Sequence, residues 1–177
     1  MSAEEAAGSG GGERDAWEAR SAQAWARFGE VPEAEFLASM RQLAAELPPE
    51  DPGGPFELGT ACDATGHAEE AVAFYAKALD LGLDGIRRRQ AVIQMAGSLR
   101  DLGRPQISVD LLSAELAAGS DHLDDAIRAF LALALADAGR EREALSVALG
   151  ALAPHLPFYQ RSVTEYAQAL TEPAARA

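Results

Sequence analysis

The sequence is short of several things, and each shortage removes a class of function. A single cysteine, Cys62, excludes an internal disulfide and any zinc site built on cysteine ligands. It falls at a packing position of a helix and reads as a small buried hydrophobe rather than a nucleophile. Basic residues are scarce, 15 against 28 acidic ones with Lys77 the only lysine, for a net charge of −13. That balance repels nucleic acid and anionic membrane surfaces, so neither is expected as a partner. No run approaches the ~20 apolar residues of a membrane span. The opening stretch, MSAEEAAGSGGGERD, has no apolar run to serve as a signal peptide, so a cytoplasmic protein is expected. Strands are not apparent, which leaves no place for a strand-borne phosphate loop. His67 lies in a turn, His122 at a helix start and His155 between prolines, with no pair at metal-ligand spacing. Glu69-Glu70 and Asp124-Asp125 point to different sides of their helices and suit the positive end of a helix dipole. No catalytic, metal or cofactor residue is assigned, and an enzyme is not expected.

What the chain does have is helical periodicity punctuated by glycine. Hydrophobic residues make up 48% of 177, enough for one domain with a core. Residues 1–12 have nothing to bury and are expected to be a disordered tail, as are residues 172–177. Between them, residues 13–171 read as one repeat domain, with hairpins at about 13–47, 55–83, 85–119 and 120–153 and a cap helix at 157–171. Gly29, Gly66, Gly103 and Gly139 mark the turns at intervals of 37, 37 and 36 residues. At Gly66 the turn calls for a positive φ.

The stretch 55–83 shows the plan most clearly. Its first helix carries Leu58-Gly59 and Cys62, and its second carries Ala71, Tyr75, Ala78 and Leu79. Ala71 and Ala78 let the two helices approach, and Tyr75, one turn after Ala71, fills the gap. One hairpin cannot bury both of its apolar faces, so neighbouring copies must cover them. The next unit places Met95-Ala96 and Leu99 on the first helix and Ser108 and Leu112 on the second, but Glu115 stands where Ala78 stood. The last places Leu131-Ala132 and Leu135, then Ala144, Ala148 and Ala151, behind a Ser120-Asp121 N-cap. The first hairpin, with Trp17, Ala24, Trp25 and Phe28 followed by Phe36, Met40, Leu43 and Leu47, fits only after a slip of about two residues. It reads as a degenerate repeat or, alternatively, as an unrelated capping hairpin. Beyond Pro154 and Pro157, Phe158, Val163, Tyr166 and Ala167 are expected to cover the exposed face of the last hairpin.

Gly59, Gly66, Ala71, Tyr75 and Ala78, together with Leu131, Ala132, Gly139, Ala144 and Ala151, resemble the tetratricopeptide repeat. The runs at residues 87–104 and 156–170 look more narrowly like the bacterial "group 5" tetratricopeptide domain. The resemblance covers about residues 33–171, or 14–171 if the first hairpin counts. It implies an all-α fold, a right-handed α-solenoid of antiparallel helical hairpins whose first helices line a concave wall. It also implies binding of a protein or peptide rather than catalysis, without a cofactor. Repeat domains that clamp the acidic tails of chaperones use Lys, Asn and Arg at positions held here by Phe56, Thr60, Gly97, Ala126 and Phe130, so that clamp is absent.

On this plan the groove positions include Phe56, Thr60, Asp63, Gln90, Gln94, Gly97, Arg100 and Phe130. Gly97 would leave bare backbone beside two amides and a guanidinium, a surface able to hydrogen-bond an extended peptide or a carboxylate. The alternative is that Arg100 simply pairs with Asp63. Arg87-Arg88-Arg89 fan over about 200° of helix and cannot form one patch; Asp80 or Asp84 are the acids expected to pair with one of them. A second function class remains open, self-association into a homodimer through Trp17, Trp25 and Phe28.

Overall fold

The computed structural model describes residues 3–172. Among them there are helices and no strands. The helices are α1 (Ala3–Ala26), α2 (Glu33–Ala45), α3 (Gly53–Ala64), α4 (Ala68–Asp80), α5 (Gly85–Asp101), α6 (Pro105–Ala118), α7 (Asp124–Asp137), α8 (Glu141–Leu152) and α9 (Gln160–Ala169), with a 3₁₀ turn at Ala153–His155 between the last two. The chain divides into two compact units, Met1–Leu83 and Asp84–Ala177. In the first, α1 packs on α2, α2 on α3 and α3 on α4; in the second, α5 packs on α6 and α7, α6 on α7, α7 on α8 and α8 on α9. This is an all-α arrangement of repeated antiparallel hairpins.

Helix α1 begins at Ala3, so its backbone takes in most of the stretch expected to be a disordered tail. Of the C-terminal tail, residues 173–177 lie outside the described residues.

The hairpin turns are built alike. At Gly66 the amide of His67 donates to the Cys62 carbonyl at 2.8 Å and that of Gly66 to Asp63 at 3.1 Å. Arg104 and Gly103 repeat this pair of bonds to Leu99 and Arg100, as do Arg140 and Gly139 to Leu135 and Ala136. The pattern satisfies the last carbonyls of each first helix and needs a left-handed residue in the middle. The φ values are +78° at Gly66, +70° at Gly103 and +73° at Gly139. Gly29 has a φ of +81°, but there Glu30 bonds to Arg27, so the first hairpin closes by a different turn.

Between the helices of each hairpin, side-chain size decides the fit. Tyr75 is fully buried, and its ring lies so close to α3 that a Cβ on Gly59 would stand 2.7 Å from Tyr75 Cδ1. Ala71 and Ala78, one turn to either side, are buried too. The Tyr75 hydroxyl donates to Thr60 Oγ1 at 3.4 Å, and burial pushes the phenol pKa well up. In the next hairpin Ala96 and Leu112, both buried, hold the positions 37 residues after Gly59 and Tyr75, and the buried Ser108 hydroxyl donates to the Ala96 carbonyl at 2.9 Å. Cys62 is buried, and burial raises its thiol pKa, as suits a packing residue.

A glycine-to-alanine change inside a helix ordinarily stabilises by about 0.5–1 kcal/mol. Gly59→Ala is expected to do the reverse, costing about 1–3 kcal/mol because the tyrosine ring must move. In a Tyr75→Leu background the same alanine should be close to neutral, since the next hairpin carries the pair Ala96 and Leu112 at these positions. Denaturant titration of the two single variants and the double variant measures this; equal effects of Gly59→Ala in both backgrounds would contradict the packing.

Candidate functional site

Candidate binding residues on the first helices fall in both units. In the first, Phe56 turns its ring inward, 7% exposed and 6.4 Å from the Tyr75 ring. It is therefore part of the hairpin core and offers little surface. Thr60 and Asp63 are half-buried further along α3, and the Thr60 hydroxyl donates to the Phe56 carbonyl at 3.0 Å.

In the second unit, Gln90, Gln94, Gly97 and Arg100 run along α5, with Gln90 exposed and the other three half-buried. The backbone at Gly97 is not bare. The Phe130 ring of α7 lies over it, with Cε1 3.4 Å from where a Cβ would stand. Arg100, for which Asp63 suggested itself as partner, donates from Nε to Asp137 Oδ2 of α7 at 2.7 Å. The structure thus brings Gly97, Arg100 and Phe130 together as part of the seam between α5 and α7. A partner carboxylate would have to compete with Asp137 for Arg100. Gln90 is the member of the row most open to solvent.

The aromatic residues of the first hairpin have intramolecular work. Trp17 is buried and its Nε1 donates to the Leu43 carbonyl at 2.8 Å. The Arg14 guanidinium sits 5.0 Å from the Trp17 ring. Trp25 donates to Glu57 Oε2 at 2.7 Å and stacks edge-on against Phe36 and Phe28. Phe28, 43% exposed, is left with a free edge. Trp17 and Trp25 thus have partners within the first unit, and Phe28 is the most exposed of the three.

The tetratrico peptide repeat family model, TPR_5, matches residues 52–170. The chain belongs to the tetratricopeptide repeat family. No curated protein matches it. The match begins after α2, so the first hairpin lies outside it. A tetratricopeptide repeat domain is a protein-interaction module. No group of three or more His, Cys, Asp or Glu side chains among the described residues is placed to hold a metal. No described helix is long and apolar enough to cross a membrane.

Two features of this tetratricopeptide domain escaped the sequence reading. The first is a buried charge cluster. Arg89 is buried, with Nη2 2.8 Å from Asp124 Oδ1, Nη1 2.9 Å from Asp121 Oδ1 and Nε 3.7 Å from Glu115 Oε1. Arg88 also bonds Glu115, itself buried. Arg88 and Arg89 thus pair with Glu115, Asp121 and Asp124 rather than with the expected Asp80 or Asp84. Glu115 departs from the repeat pattern because it neutralises Arg88 and Arg89 between α5 and α6. Asp124 reaches back to accept from Ser120 Oγ at 2.7 Å and from the Asp121 amide at 3.2 Å, so that the N-cap of α7 is Leu123 and not the Ser120-Asp121 pair.

The second feature is an open face on the last hairpin. Phe158 and Tyr166, expected to cover it, are each 72% exposed. A 3₁₀ turn at Pro154, a left-handed Tyr159 (φ +67°) and bonds from Gln160 Nε2 to the Pro154 and Leu156 carbonyls redirect the chain. Helix α9 then buries Ala167 beside Val147 and Gly150 on another side of α8.

Bonds from Ser120, from the Asp121 amide and from Arg89 lower the Asp124 carboxyl to about 2, against an ordinary value of 3.8. A lowered native pKa contributes stability that is complete above the ordinary value and is lost as pH falls through the native one. Wild type should therefore lose melting temperature between about pH 4 and 2 more steeply than Asp124→Asn, followed by thermal melts at each pH. Parallel curves would contradict the cluster.

Proposed function

We propose that this tetratricopeptide domain is a non-catalytic adaptor that holds a peptide or a partner helix on the first-helix side of its repeats. The candidate contacts of the first unit are Phe56, Thr60 and Asp63 on α3; those of the second are Gln90, Gln94, Gly97 and Arg100 on α5 and Phe130 on α7. The observation that carries the reading is the α5–α7 row, where an aromatic ring sits on glycine backbone between an open amide and a surface ion pair. Such a row joins an apolar contact to directional donors, the combination that fixes a polypeptide in register. Phe56, its ring enclosed against Tyr75, would contribute by supporting α3 rather than by meeting the partner itself.

Affinity capture from lysate of the source cell, read by mass spectrometry, tests the proposal when wild type is run beside Gln94→Ala/Arg100→Glu. A protein retained by wild type and lost by the variant, with helical circular dichroism unchanged, is the expected result. The same proteins on both would move the binding surface elsewhere.

A further inference from the structure

The first unit contains a pocket of about 290 Å³ between α2, α3 and α4. Pro48 and Pro49 of the α2–α3 connection, Pro55 and Leu58 of α3 and Phe74 of α4 give it apolar walls. Small residues line it where α2 meets α3, and a Cβ on Gly54 would stand 3.2 Å from the Ala44 carbonyl oxygen. Two cations join them, Arg41 of α2 and Lys77 of α4. No Asp or Glu lines the pocket, in a chain with 28 acidic residues against 15 basic ones. Lys77, the only lysine, is exposed and makes no ion pair among the described residues. Its place in the last turn of α4 suits its charge but supplies no carboxylate. Arg41 makes a long contact, Nη2 to Glu70 Oε2 at 3.5 Å, between two side chains that are each about half exposed. Such an exposed pair holds its partners weakly.

We infer that this pocket binds a small apolar carboxylic acid, its hydrocarbon body against the prolines, Leu58 and Phe74 and its carboxylate on Lys77 and Arg41. Charge sets the sign of the head group. Two cations without a lining acid attract an anion and reject a cation, and apolar walls strengthen the charge-assisted bonds that form. The walls set the body, since a concave apolar surface with a few polar groups at one side is the general form of a small-molecule site. The volume is near the lower end of the roughly 300–1,000 Å³ of such sites, so the ligand is compact. A polypeptide segment suits the pocket less well. Apart from the two cations every lining side chain is apolar, and three of them are prolines without an N–H, so little is offered to the amides of a bound chain. The pocket shares no residue with the candidate binding row, so neither reading depends on the other.

NMR titration of the isotope-labelled full chain tests this with phenylbutyrate as the probe. Phenylbutanol and phenylbutylamine keep the same body and change only the head group. The acid should give saturable shifts in α2, α3 and α4 with a Kd of ~1 mM or tighter. The alcohol and the amine should bind about tenfold more weakly or worse, because they cannot accept from the two cations. Lys77→Met keeps an apolar stem and removes the charge, at an exposed position where the fold does not depend on it. It should weaken the acid about tenfold and leave the alcohol nearly unchanged, whereas Lys77→Arg should keep most of the affinity. Arg161→Met, on the 91% exposed arginine of α9, should change nothing. The absence of saturable shifts up to ~10 mM acid overturns the inference. So does equal affinity for acid and alcohol, an unchanged acid affinity in Lys77→Met, or a loss of affinity with Arg161→Met. A capped phenylalanyl-aspartyl amide, which carries the same two groups on peptide backbone, should bind more weakly than the acid; tighter binding would give the pocket to a protein segment and overturn the inference as well.

Discussion

The contact on which each hairpin depends is that between a large residue of the second helix and a small one of the first. In the α3–α4 hairpin the contact is at its tightest, with Tyr75 lying where a Gly59 side chain would be. The next hairpin has Ala96 and Leu112 at the same positions, and the last has Ala148 where the large residue stood. The turn glycines set the geometry that brings the helices together, and the central residue together with the cover of the following helix sets how much of the second helix is buried. Helix α6 buries Ser108, Val109, Leu112 and Glu115, whereas α8 buries Ala144 alone. Hydrophobic burial of this kind is the main stabilising term in a stack of short helices, none of which would persist alone in water.

Where the size rule is broken, charge takes over. Glu115 replaces a small residue in the α6 series, and a buried carboxylate without partners would cost several kcal/mol. Arg88 and Arg89, from the helix it packs against, supply the partners, and Arg89 extends the cluster to Asp121 and Asp124 at the start of α7. Arg88 and Arg89 are thereby consumed in joining three consecutive helices.

Much of this was legible in the sequence, for definite reasons. Turn glycines at a constant interval report a backbone requirement that other residues meet at a cost. Helical periodicity reports which face is buried. The helix type, the turn at Gly66 and the inward Tyr75 follow from those two signals. Long-range pairing leaves no such local mark. Nothing in the spacing distinguishes Asp63 from Asp137 as the partner of Arg100, or reveals that Phe130 covers Gly97. The direction of α9 was missed for a similar reason, since a left-handed Tyr159 is not a residue preference. One clue was present and went unused: Ala148, at a position otherwise filled by Tyr75 or Leu112, already marked a face with too little to fill it.

If side-chain fit between the paired helices governs this fold, protection of the second helices should follow the size of that central residue. Amide hydrogen exchange on the full chain, held dilute and resolved by peptide, measures this most directly. The account predicts slow exchange in α4 and α6, and exchange in α8 faster than in either by a factor of about ten or more, a difference of about 1.4 kcal/mol in local opening. Protection of α8 equal to that of α6 in the dilute chain would contradict it, because stability would then be independent of the contact at Tyr75, Leu112 and Ala148.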